Sequence, residues 1–101
     1  MAANITIIPA ANADFAEGYD WFEEQENGRG EKFEGVIQRR LKGVAANPLM
    51  HQIIQGNIRR AYVRDYQYII FYEYVLATNT VLVYSIFHTS QDPDIWKQRV
   101  E

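Results

Sequence analysis

The sequence predicts an α+β domain in the order β-α-α-β-β-β, with an N-terminal helical hairpin packed on a mostly antiparallel twisted sheet. Two observations carry that expectation. The first half holds two apolar stripes at helical spacing, and the second half holds runs of alternating β-branched and aromatic residues separated by short turn signals. At 101 residues and 48 % hydrophobic content the chain suits one domain, residues 1–101, with enough apolar material for a packed core. It has no cysteine. Disulfides, thiolate metal sites and cysteine nucleophiles are therefore excluded, and stability must come from packing.

Ile5, Ile7 and Ile8 form a β-branched run that Pro9 closes, because proline cannot donate to a strand ladder. Asn12 is placed to cap the first helix, whose opening turn carries Asp14 and Glu17. Phe15, Tyr19 and Phe22 make its apolar stripe, with Trp21 off it. Asn27-Gly28-Arg29-Gly30 breaks the pattern. Phe33, Ile37, Leu41 and Val44 then mark a second helix, which Asn47-Pro48 stops. Each helix has one greasy face, so the pair must cover a sheet.

Ile58 to Val63 reads as a strand, Arg64-Asp65 as a turn, Tyr66 to Tyr74 as the next strand, and Ala77 to Thr80 as another turn before Val81 to Phe87. Tight connections make these a meander. Asp92-Pro93 supplies an N-cap and a proline at the first helical position for one short turn over Asp94 to Arg99. Along the central strand Tyr68, Ile70 and Tyr72 face one way, Ile69 and Phe71 the other. The helices account for the first face. The second is either open to a partner, which would also favour a homodimer, or covered by the C-terminal segment through Ile95 and Trp96.

Charge is uneven along the chain, whose net charge is −3 and whose pI is about 5.3. The first 34 residues carry eight acids and two bases, whereas Arg39 to Arg64 contains six bases and no acid. That basic block reads as a solvated helix face and strand edge, or as a surface for an acidic partner. The acidic whole argues against a general nucleic-acid binder. The longest apolar run, Tyr68 to Tyr72, is too short to span a bilayer, and the N-terminus has no secretory pattern, so a cytoplasmic protein is expected.

Chemistry-bearing motifs are few. The two histidines, His51 and His88, fit no metal-ligand spacing, so neither a metal nor a cofactor is expected. Nucleophile elbows and phosphate-cradling glycine loops are absent. His51, just past Pro48, reads as a loop residue facing solvent. His88 ends the last strand, and with Arg60 and Arg99 nearby it could act as acid and base on a phosphodiester, the guanidiniums steadying transition-state charge. The alternative is a strand-end histidine bonded to local backbone.

The succession Ala13-Asp14-Phe15, Tyr19-Asp20-Trp21-Phe22, Phe33, Asn47-Pro48, Ile58-Arg59-Arg60, Tyr68-Ile69-Ile70-Phe71-Tyr72, His88, Asp92-Pro93 and Trp96 to Arg99 resembles the RelE/ParE toxin superfamily over nearly the whole chain. The resemblance is to plasmid-stabilisation toxins of type II toxin–antitoxin modules. It implies a cognate antitoxin whose disordered segment folds onto the toxin, and Ile69, Phe71 and Trp96 would suit that contact.

RelE-like members cut mRNA on the ribosome and resemble one another in an arginine on the central strand and another in the tail. Ile69 and Gln91 occupy those positions here, while His88 and Pro93 match. An amide cannot replace a guanidinium clamp on phosphate. ParE-like members instead inhibit DNA gyrase without hydrolytic chemistry, and the resemblance leans to them through the Arg59-Arg60 strand, the aromatic central strand and the short tail. Three readings follow. The first is a growth-arresting gyrase inhibitor that meets its target through Arg59, Arg60, Trp96 and Arg99. The second is a ribosome-dependent endoribonuclease using His88, Arg60 and Arg99. The third is an inactive relative that only binds antitoxin.

Overall fold

The computed structural model describes residues 2–92 and 94–100. Strand β1 (Asn4–Ile7) leads into helix α1 (Pro9–Gln25) and helix α2 (Arg29–Ala46). Strands β2 (Ile53–Gln55), β3 (Ile58–Val63), β4 (Tyr68–Val75) and β5 (Thr80–His88) follow, with 3-10 turns at Arg64–Tyr66, Leu76–Thr78 and, after β5, Ile95–Gln98. The expected element order holds, with β2 as an addition. Its three residues lack the alternation that marks a strand, and β2 exists because β3 offers it a partner.

The first helix starts earlier than expected. Pro9 rather than a residue after Asn12 is the first helical position, with Ile8 as the N-cap. Proline there loses nothing, since its missing N–H would have no helical partner, and its fixed φ suits the turn. Asn12 lies inside the helix and donates its backbone N–H to Ile8 O. The break between the helices is built on Gly28, whose φ of 90° is accessible to glycine, and on the Glu23 carboxylate. That carboxylate accepts the backbone N–H groups of Gly28 and Gly30 at 3.0 Å and so satisfies free donors at the start of α2. Gly30 also lets the helices close: a Cβ there would meet the Tyr19 backbone oxygen at 3.0 Å.

The sheet order is β1-β5-β4-β3-β2, antiparallel except for the parallel β1–β5 pair. Phe22, Phe33, Ile37, Leu41 and Val44 from the helices bury against Val63, Tyr68, Ile70, Tyr72, Val81 and Val83. The opposite face is closed by the chain itself. Trp96 packs on Ile58, Ile69, Phe71 and Phe87, its ring 5.8 Å from that of Phe71. Ile69, Phe71 and Trp96 are 7 %, 4 % and 5 % exposed. The surface whose exposure would favour a homodimer is thus covered by the chain's own tail. The short helical turn expected at Asp94 to Arg99 is there, with the Asp92 side chain accepting the Asp94 N–H; the Pro93 position of that expectation lies outside the described residues. No described helix is long and apolar enough to cross a membrane.

Candidate functional site

Two clefts flank the sheet, and they differ in charge. The first, a groove of about 750 Å³, runs between α2 and β3. Arg39 and Arg40 reach it from α2, Arg60 from β3 and Arg64 from the following turn, against a single acid, Asp65. Val36, Met50, Tyr62 and Val63 supply its apolar wall. The basic block of the sequence thus becomes one concave surface, because the meander returns β3 alongside the helix that precedes it.

Hydrogen bonds fix part of this lining. Arg40 Nε donates to Tyr62 O at 2.7 Å, and Arg60 Nη2 donates to Gln52 Oε1 at 2.8 Å while its guanidinium lies over the Tyr62 ring. Arg59 is held on the α2 side of β3, where Nη1 donates to Leu49 O and His51 O, and Tyr72 Oη donates to Pro48 O at 2.8 Å. Together they pin the loop that carries His51. That histidine, expected to face solvent, is half-buried, and its ring meets Tyr72 edge-on. Burial, then the charges of Arg40 and Arg59, lower its pKa from the ordinary 6.5. His51 Nε2 and Arg60 Nε are buried and have no hydrogen-bond partner among the described residues.

The second cleft, about 310 Å³, lies where β5 ends against α1 and is lined by Asp14, Glu17, Trp21, Tyr68, His88 and Gln91 among others. His88 Nδ1 pairs with Ser90 Oγ at 2.7 Å, and its ring sits edge-on to Tyr68. Asp14 and Glu17, which share this cleft with His88, would repel a phosphate. Gln91, at the position where the resemblance places an arginine, accepts the His88 backbone N–H at 2.8 Å, which a guanidinium could not do.

Arg99 is engaged as well. Its guanidinium forms a two-pronged pair with Asp14, 2.6 and 3.1 Å, and donates to Tyr84 O at 3.0 Å. Asp14 also accepts the Ile86 backbone N–H at 3.2 Å. The reason lies in β1, which ends at Ile7 and leaves the outer edge of β5 uncovered beyond Val83. Asp14, Arg99 and Gln91 take up the backbone groups of that edge, and the Asp14–Arg99 pair ties the tail to α1.

The structure therefore separates several residues that sequence reasoning grouped. Arg60 and His88 line different clefts. Arg60 pairs with Phe71 and His88 with Tyr68, which face opposite sides of the sheet. Two strand steps and three residues put their backbones about 14 Å apart. Ile69, Phe71 and Trp96 do come together, but as a buried cluster in which the tail's Trp96 covers the other two rather than as a free surface. Of Arg59, Arg60, Trp96 and Arg99, only Arg60 lines the basic groove. Sequence reasoning missed Arg39, Arg40, Arg64 and His51 as one site, although the acid-free stretch from Arg39 to Arg64 was its signal. Nothing in the sequence marked Asp14 as the partner of a residue 85 positions away.

A family model described as the ParE toxin of the type II toxin–antitoxin system parDE matches residues 5–93, from β1 to the segment after β5. The chain belongs to the ParE toxin family. Membership implies a cognate antitoxin as partner. The match ends before Trp96 and Arg99, so the tail side chains that close over the sheet and reach Asp14 lie beyond the matched region of this ParE toxin. No curated protein matches the sequence.

Proposed function

We propose that this chain is a ParE-type toxin that arrests growth by binding DNA gyrase, without hydrolytic chemistry of its own, and is neutralised by its antitoxin. The observation that supports this reading most is the dispersal of the residues that RNA cleavage would need together. His88 shares its cleft with Asp14 and Glu17, Arg60 lies in the other cleft, and Arg99 is neutralised by Asp14. Phosphodiester cleavage needs an acid–base group and cationic groups around one phosphate. Arg60, unlike the other proposed target residues, lies in the accessible basic groove and is the one we place at the target contact.

The test is supercoiling of relaxed plasmid by purified gyrase with increasing amounts of the purified chain. Inhibition is expected from the native chain and undiminished from His88→Ala. In cells, labelled thymidine incorporation should fall before labelled methionine incorporation. Early loss of methionine incorporation that His88→Ala abolishes would overturn the reading in favour of messenger cleavage.

A further inference from the structure

We propose that the cleft between α1 and the end of β5 binds an organic cation, a guanidinium or ammonium group carried on a short aliphatic chain. Such a site is independent of whether gyrase is the target. Helix periodicity assembles one flank: Asp14, Glu17, Gly18 and Trp21 stand at i, i+3, i+4 and i+7 of α1 and all line the cleft. Tyr68 and His88, paired across β4 and β5, line the other flank.

Charge selects a cation. Helix α1 carries five acids and no Lys or Arg, and neither residue type lines the cleft among the described residues. Asp14 is paired with Arg99, whereas Glu17 is exposed and has neither a hydrogen bond nor an ion pair among the described residues. An incoming anion would be repelled here, and an incoming cation would find an unpaired carboxylate.

The aromatic walls select an organic cation over a metal ion. Trp21 is 55 % exposed and held edge-on against Phe22 at 5.0 Å, so its ring is fixed while much of its surface stays open. Arg29 already lies over the Phe22 ring, but among the described residues no cation lies over Trp21 or Tyr68. Ring faces attract guanidinium and ammonium groups, tryptophan most strongly. No group of three or more His, Asp or Glu among the described residues could hold a metal ion. An organic cation needs no such group, since one carboxylate, a ring face and neutral oxygen acceptors suffice.

The Tyr68 hydroxyl points to a ligand independently. Tyr68 is 8 % exposed, and its Oη has no hydrogen-bond partner among the described residues. That oxygen lies beside Gly18, where an added Cβ would stand 2.8 Å from it, and both residues line the cleft. A buried hydroxyl without a partner is costly, and an N–H of the cation would donate to it. Burial, then the charges of Glu17 and Asp14, raise the Tyr68 pKa from the ordinary 10.0, so the hydroxyl stays neutral beside those carboxylates. A volume of about 310 Å³ lies at the low end of small-molecule sites, roughly 300–1,000 Å³, and suits one short chain with its charged head.

The experiment titrates the purified chain with n-butylguanidinium chloride, with its neutral isostere n-butylurea and with acetyl-arginine methylamide, at equal ionic strength, following the His88 ring resonances by NMR. Saturable shifts are expected from both cations and not from n-butylurea. Glu17→Gln combined with Trp21→Leu alters two exposed side chains, so circular dichroism should report an unchanged fold. Affinity for n-butylguanidinium should fall at least tenfold in that variant and by a smaller factor in Tyr68→Phe, which keeps the ring and removes the hydroxyl. Tighter binding of acetyl-arginine methylamide would assign the site to a basic side chain of a polypeptide, and tighter binding of n-butylguanidinium to a small free cation; either order supports the site. Binding of n-butylurea as tight as that of the cations would overturn the proposal, since the cleft would then select only for an apolar chain. So would a lack of saturation by either cation at millimolar concentration, or undiminished affinity in the Glu17→Gln, Trp21→Leu variant.

Discussion

The two exposed margins of the sheet solve the same problem in opposite ways. Where β1 stops short, the outer edge of β5 would be left with bare backbone groups, and three side chains satisfy them: Asp14 takes the Ile86 N–H, Arg99 the Tyr84 oxygen and Gln91 the His88 N–H. The Asp14–Arg99 pair balances its own charge there. At the β3 margin, by contrast, Arg40 meets the Tyr62 oxygen, but four arginines gather around a single acid, Asp65, with no ion pair among the described residues, and two buried nitrogens have no partner among them. The contrast separates a margin whose backbone groups and charges the chain itself pairs from one where, among the described residues, they are left without partners. Charged groups at a margin are therefore no guide to function until their partners are known, and Arg99 is the example.

The largest effect should come from opening the completed side. Trp96→Ala removes the side chain that fills the face of Ile58, Ile69, Phe71 and Phe87, and should destabilise the domain by about 3 kcal/mol. Thermal unfolding should report a fall of about 15 °C for a chain of this size. A fall of only a few degrees would mean that the tail rests on the sheet without stabilising it.

Asp14→Ala should come next, at about 2–3 kcal/mol, because it strips the Ile86 N–H of its acceptor and leaves the half-buried Arg99 unpaired. Urea unfolding measures this directly. Arg39→Glu with Arg64→Glu, on the other margin, should stay within about 0.5 kcal/mol, as expected for exposed charges without partners to lose. Equal losses in the two variants would erase the distinction between the margins.

The fold was legible because it rests on periodicity. Phe33, Ile37, Leu41 and Val44 recur at helical spacing and all four are buried, and the alternation from Tyr68 to Tyr72 divides the two faces as read. The helix start was misplaced because Asn12 is a good cap in isolation, while the stronger constraint was Pro9, which ends the strand and begins the helix in one residue. β2 left no pattern, being three residues long and dependent on its neighbour. The site was harder to read. Side-chain charges carry no period, so the basic block was visible as composition, but its assembly into one groove depended on where α2 and β3 meet. Arg99 and His88 invited a catalytic reading by residue type, and their partners, Asp14 and Ser90, are set by the end of β1 and by a local turn.

The smallest effect, a pH dependence, bears most directly on the open margin. Burial and the charges of Arg40 and Arg59 hold the His51 pKa below 6.5, so the unfolded chain takes up this proton at a higher pH than the folded chain does. The stability linked to His51 is therefore fully present above pH 6.5 and is lost as the pH falls from there toward the lowered folded value. Urea midpoints at about pH 7.5 and about pH 5.5 should differ less in His51→Gln than in the native chain, because glutamine cannot charge.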